Sequence, residues 1–291
     1  MLLLSSCVLV LAVAAATLSA QDDSQDDGAA EQRSNVTHSV AYTENTLHLR
    51  VRRAVPQDAQ NLPAATTRMA QSIDDDIAER FVEAVTPLRV DSLNRAEDLF
   101  SKRNDLVVRL TELAGAYHTR TVRRASNLDW VEVEYRYRLF PDLARLFIEH
   151  SRPAPFAPVL RWVPTASYTG IVIYAQEALP VHGEGRETQL KPALFPEIYD
   201  ENLRRVLGAE MMEPQVVAER GVVGYSTSLD SNSYVDRVGD SPLHVMATGI
   251  FGSYDTDIIV HPSDANRMLA TEHMRSLLRE GRVTVIISDL D

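Results

Sequence analysis

"DWVEVEYRYRLF", residues 129–140, is the stretch that decides the fold. Trp130, Glu132, Glu134, Arg136 and Arg138 fall on one side of an extended chain, and Val131, Val133, Tyr135, Tyr137 and Leu139 on the other. That period of two is the mark of a strand with one wet and one buried face. A sheet wetted on one side is antiparallel and takes its helices on the other side. The segments around it agree. "AYHTRTVRRA" reads as the preceding strand, with "SNLD" as the turn between them. "TLHLRVRRAV", 46–55, alternates in the same way. Between these strands lie two helical stretches. One runs from Pro63, a good first-turn residue, to Pro87, with Ala65, Met69, Ile73, Ile77, Phe81 and Val85 as its stripe. The other covers mainly 103–114, with Leu106, Leu110 and Leu113 on one face and Gly115 as its stop. A short helix at 141–149 closes the unit.

Four prolines in "SRPAPFAPVLRWVPTASYTG" mark a strap, and a second strand-rich unit follows it. "GIVIYAQ" reads as a buried strand. A strand through Leu194, Ile198 and Tyr199 turns at 200–202 and returns to Gly208. "GVVGYSTS", "PLHVMATGIFG" and "TDIIVHP" are further strands. A helix capped by Ser263 and stopped by Gly281 leads to a last strand, "RVTVIISD". The expected class is α+β: a small domain of helices on an antiparallel sheet, then a mixed, strand-rich α/β domain. The expected division is a signal peptide at 1–20, a flexible acidic leader at 21–45, the first domain at 46–150, the strap at 151–168 and the second domain at 169–291.

The chain has 291 residues, a formal charge of −12 and one cysteine. The acidic balance argues against a nucleic-acid partner, which asks for a basic face. Residues 2–20 are apolar or small and uncharged, and "QDDSQDDGAAEQ" then turns polar and acidic, the pattern of a secretory signal cleaved after Ala20. "LSSC" at 4–7 also matches a lipoprotein box, which would tether the protein to a membrane surface through Cys7. The apolar run continues past that cysteine, which favours cleavage after Ala20. Cleavage there leaves a cysteine-free chain for an oxidising compartment and excludes thiolate chemistry. "NVT" at 35–37 is a chance-level glycosylation pattern in the leader.

"LPVHGEGRE", 179–187, places His182 two residues from Glu184 in a glycine-rich loop. The pair could supply two metal ligands, or a base and its orienter. No third or fourth ligand stands at a recognisable spacing, and Pro180, Gly183 and Gly185 already account for a turn between strands. "GYSTS" lacks the last glycine of a nucleophile elbow. "DSNSYVDRVGD", 230–240, departs from a calcium loop at Tyr234, Val235 and Ser241. There is no phosphate loop. His244 and His261 read as hydrogen-bonded core histidines, and the arginine doublets at 52–53, 123–124 and 204–205 as solvated edge protection. No cofactor is implied, and no catalytic or metal residue is assigned.

"EAVTPLRVDS" at 83–92, "AEDLF" at 96–100 and "VEVEYRYRLFPDLARLF" at 131–147 resemble the FlgP-like group of bacterial flagellar accessory envelope lipoproteins. In the second half, "YTGIVIYAQ", "KPALFPEIYDEN", "RVGDSPLHVMATGIFG" and "TDIIVHPSDANRML" resemble their longer relatives. The resemblance implies a non-enzymatic periplasmic or outer-membrane protein that assembles with itself and with other envelope or flagellar-motor proteins. The contacts expected to carry assembly are Arg123, Arg124, Arg136 and Arg138 on the sheet, and Phe156, Trp162 and Tyr168 in the strap. The alternative is a periplasmic binding module for an anionic or polysaccharide ligand, and a third reading is a hydrolase using His182 and Glu184.

Overall fold

The computed structural model describes residues 35–157, 159 and 166–288, so the expected signal, Cys7, most of the leader and Trp162 lie outside the described residues. The first sheet is four-stranded and antiparallel. Its strands are β1 (Asn35–Ala41), β2 (Thr46–Ala54), β3 (Thr119–Arg124) and β4 (Trp130–Arg138), in the order β1-β2-β4-β3. β1 lies within the leader expected at 21–45 and corrects its C-terminal bound. Its only large apolar residues are Val36 and Val40, too few to stand out in sequence. What fixes it is the full ladder to β2, from Asn35 opposite Arg52 to Ala41 opposite Thr46.

The register sets the faces. Leu47, Leu49 and Val51 of β2 lie beside Tyr137, Tyr135 and Val133 of β4, all buried. Over them pack α1 (Leu62–Asp75), α2 (Ile77–Val85), α3 (Ala96–Phe100) and α4 (Asn104–Leu113). Asn61 caps α1 by accepting the Ala64 amide at 3.0 Å, with Pro63 in the first turn. The single helix expected up to Pro87 is broken at Asp76. Arg53 points inward from β2 and binds both Asp76 and, at 2.9 Å, the Ser72 hydroxyl. Nearby, Arg120 grips Asp74 with two bonds of 2.8 Å. A run of four residues, α5 (Ala144–Phe147), ends this half.

The second half is a seven-stranded mixed sheet. Its strands are β5 (Ile171–Ala175), β8 (Ile198–Asp200), β9 (Arg205–Leu207), β10 (Gly224–Ser226), β11 (Leu243–Phe251), β12 (Asp257–Val260) and β13 (Val283–Ile287). Their order is β10-β13-β5-β11-β12-β8-β9. A two-residue ladder, β6 (Leu179–Pro180) with β7 (Glu187–Thr188), stands apart. The helices are α6 (Pro214–Arg220), α7 (Val235–Val238), α8 (Pro262–Leu269) and α9 (Glu272–Arg279). The expected single helix after Ser263 is two, because Thr271 starts afresh by accepting the Met274 amide at 3.1 Å. His261, not Ser263, caps the first of them, accepting the Ser263 amide at 3.2 Å. The helix α6, headed by Pro214, is additional to the expected elements. The chain is therefore α+β, with an antiparallel sheet under helices followed by a mixed sheet.

The halves are joined by the chain between α2 and α3. The Leu194 and Phe195 amides donate to the carbonyls of Arg89 and Val90 at 3.1 and 2.8 Å, and Arg89 Nε donates to the Pro192 carbonyl at 2.8 Å. On the far side, the Tyr254 amide donates to the Ser92 carbonyl at 3.2 Å and its hydroxyl to Asp98 at 3.2 Å. Gly252 has φ 94°, and a Cβ there would lie 2.3 Å from that of Ser92, so the approach requires glycine.

Phe81 is fully buried, its ring centre 4.1 Å from that of Tyr137. Phe81→Ala is expected to cost about 3–5 kcal/mol in denaturant unfolding, the usual effect of deleting a core aromatic.

Candidate assembly surface and interdomain cleft

The outer face of the first sheet carries a charge cluster that the alternation of β4 only half discloses. Arg50 lies opposite Glu134 and Arg52 opposite Glu132 in the β2–β4 ladder, with Arg123 opposite Glu132 from β3. Glu134 has 1% of its side chain exposed because arginines lie over it. Its Oε1 meets His48 at 3.3 Å, Arg136 at 3.3 Å and Arg50 at 3.5 Å, and its Oε2 has Arg123 at 3.5 Å. Burial alone would raise this carboxyl. The His48 hydrogen bond and the charges of Arg50 and Arg136 outweigh burial and hold it below the usual carboxylate range. Glu132 takes two bonds from Arg52, at 3.0 and 2.7 Å, and Arg52 also lies over the Trp130 ring at 4.3 Å. The two carboxylates thus serve as a base on which four arginines are held half exposed.

Of the expected assembly residues, Arg123 and Arg136 belong to this face. Arg138 is drawn off by Asp142 at 3.0 Å. Arg124 lies opposite Val131 and so projects to the other side of the sheet from Arg123, where it is exposed. Phe156 is corrected. It is 9% exposed, packs in the core and lies under the Arg279 guanidinium at 5.1 Å, so it offers little surface to a partner. Tyr168 is half-buried, and its carbonyl accepts from His273 at 2.8 Å. Sequence reasoning missed Arg50, Arg52 and His48 as members of the face. Their alternation was visible, but not the register that sets them against Glu132 and Glu134.

His182 and Glu184 do not meet. Glu184 pairs with Arg186 at 2.6 Å, Arg186 holds Asp255 at 2.7 Å, and His182 stands edge-on to Phe251 at 6.0 Å. His244 and His261 are both exposed, correcting the core reading: His244 bonds the Tyr174 hydroxyl at 2.9 Å and His261 caps α8. Among the described residues, no group of three or more His, Cys, Asp or Glu side chains is placed to hold a metal ion. Among the same residues, no helix is long and apolar enough to cross a membrane.

A cleft of about 430 Å³ opens beside the junction of the halves, with Asp91, Leu93, Phe147, His150, Glu197 and Arg205 among its walls. Glu197 is bonded by the Tyr199 hydroxyl and paired with Arg205 at 3.2 Å. Burial raises its carboxyl, the Tyr199 bond and the Arg205 charge oppose the rise, and the charges of Glu210 and Asp91 add to it. Behind it lies Asp257, fully buried. Its Oδ1 accepts the Glu197 amide at 2.9 Å, while its Oδ2 has no hydrogen-bond partner. Burial pushes this carboxyl up to about 7. The charges of Glu197 and Asp91 assist, and the Glu197 amide and the nearby Ser92 hydroxyl oppose.

A carboxyl whose pKa is raised on folding binds more protons folded than unfolded, so it makes stability fall as pH rises from the ordinary range near about 4 through about 7. Asp257→Asn keeps the acceptor and removes the charge. The variant is expected to match the parent near pH 4 and to exceed it above pH 7, by up to about 4 kcal/mol in urea unfolding. Equal pH profiles for the two proteins would contradict this account.

Residues 33–146 match the family model described as Treponema pallidum Tp0624, N-terminal domain, and residues 170–289 match the one described as Treponema pallidum Tp0624, second domain. Neither is the FlgP-like group. No curated protein matches the chain. The two matched ranges divide where the two sheets divide and stand in the order of their names, so this is a chain whose two domains belong to the Tp0624 domain families.

Proposed function

We propose that the protein is an exported, non-enzymatic assembly protein of the cell envelope, and that the arginine face of one copy seats on the acidic surface of the next. The observation that carries this reading is the face itself. Arg50, Arg52, Arg123 and Arg136 crowd over two carboxylates, on a chain whose formal charge is −12. A basic patch on an acidic molecule is complementary to the rest of its own surface. A contact between unlike patches closes into a ring or runs on as a filament. Each exposed ion pair contributes only about 0–1 kcal/mol, so the contact needs many pairs and weakens with salt. The placement in the periplasm, with peripheral membrane association, rests on the apolar run at 2–20 and the polar stretch after it. The finer setting, a flagellar-motor accessory role alongside other envelope proteins, rests on the resemblance of "EAVTPLRVDS" and "VEVEYRYRLFPDLARLF" to the FlgP-like group.

Light scattering on the mature protein is expected to show self-association at low ionic strength that is lost above about 0.5 M salt, where the screening length falls to a few ångströms. Arg50→Gln combined with Arg123→Gln leaves Arg52, Arg136 and His48 to hold the carboxylates, and is expected to give a folded monomer. A protein that is monomeric at every salt concentration contradicts the reading.

A further inference from the structure

A second cavity, of about 290 Å³, lies where the β1–β2 turn and the end of β4 face α6 and β10, with Tyr42, Asn45, Phe140, Arg220, Tyr225 and Arg237 among its walls. Its polar groups divide sharply. Asn45 is fully engaged with the Phe140 main chain, donating to its carbonyl at 2.7 Å and accepting its amide at 2.8 Å. The Tyr225 hydroxyl is engaged with Ala193, and that of Tyr42 reaches the Arg89 carbonyl at 3.5 Å. Their rings stand edge to face at 5.8 Å and form an apolar wall with Phe140.

The two arginines differ from these neighbours. Arg237 donates to the carbonyls of Val283, Arg220 and Gly221 at 2.7, 2.7 and 3.1 Å. These bonds cap the C-terminal end of α6 and orient the guanidinium, but a carbonyl carries no full charge. Arg220 donates to the Arg237 carbonyl at 3.4 Å. Among the described residues, neither guanidinium forms a salt bridge with a carboxylate. Glu219 also lines the cavity, but it is exposed and is bonded by Gln215. Arg237 lies so deep that burial, and then the like charge of Arg220, lower its pKa to about 9, yet it keeps surface facing the cavity. Gly224 makes room for it, since a Cβ there would stand 2.8 Å from Arg237 Cδ. Two cations set against a ring-lined hollow, neither paired with a carboxylate among the described residues, form a site that an anion would complete.

We infer that this cavity binds a small organic anion, a phosphate or carboxylate held by Arg220 and Arg237 and carried on a ring or other apolar group that packs between Tyr42, Phe140 and Tyr225. The cavity volume is just below the usual range for metabolite-sized ligands, which limits the occupant to something about the size of a single substituted ring. The inference does not rest on the assembly reading, because a protein that never self-associates could still take the anion.

The test is isothermal calorimetry on the full chain in about 0.15 M salt, with phenyl phosphate and benzoate as probes and inorganic phosphate as the comparator without a ring. Saturable binding of at least one ring-bearing probe is expected, with a Kd of about 1 mM or tighter and stronger than that of inorganic phosphate. Arg220→Gln, which changes a partly exposed side chain and leaves the Arg220 carbonyl to the cap, is expected to weaken it about tenfold, Arg237→Lys similarly, and Arg123→Gln on the distant sheet face not at all. The two probes distinguish phosphate from carboxylate. Absence of saturable binding to the parent protein, or binding that Arg220→Gln leaves unchanged, overturns the inference.

Discussion

Two irregular segments of chain, at 88–95 and 192–195, satisfy each other's main-chain groups. Buried amides and carbonyls must find partners, and neither segment is inside a sheet that would provide them. Leu194 and Phe195 donate to Arg89 and Val90, the Arg89 side chain returns to Pro192, and Ala96 and Val90 close the local turn by bonding Leu88 and Asn94 at 2.9 and 3.0 Å. The turn between β11 and β12 grips the same loop from the other side through Tyr254 and Gly252, and Arg95 lies over the Tyr254 ring at 4.9 Å. Each half then meets the other through fixed main-chain geometry.

The two hollows described above follow from this junction. The larger one lies along the clasp, where Glu197 and Asp257 are brought beside Asp91 and become carboxyls that resist ionisation. The smaller one lies where the Tyr42–Asn45 turn faces Arg237 and Arg220. Acid is concentrated at one seam and base at the other, while the outer face of the first sheet is left to the arginine cluster. The charges of this protein are thus sorted by place.

The first half was the more legible in sequence. The alternation of residues 130–139, the stripe through Ile73 and Phe81 and the leucines of α4 all report burial directly. β1 was hidden because an edge strand is held by its ladder and needs few apolar residues. Arg52 and Arg53 looked alike as a doublet, yet successive strand residues face opposite ways, so one lies over Trp130 and the other anchors Asp76. The candidate sites were less legible still. Arg237 and Glu197 are ordinary letters in their own segments, and part of their character comes from groups forty or more residues away in the chain, such as Val283 and Asp257. "LRVDS" stood out as a pattern, but only the fold reveals it as the joint.

If the clasp makes the two domains one cooperative unit, the amides of Leu194 and Phe195 share the stability of the whole. Native-state hydrogen exchange measures this directly. The account predicts that these two amides open with the same free energy as those of Val133 and Val285 in the two sheet cores, within about 1 kcal/mol. Exchange at Leu194 and Phe195 through an opening several kcal/mol cheaper, with both cores still protected, would show that the domains part without unfolding and would contradict it.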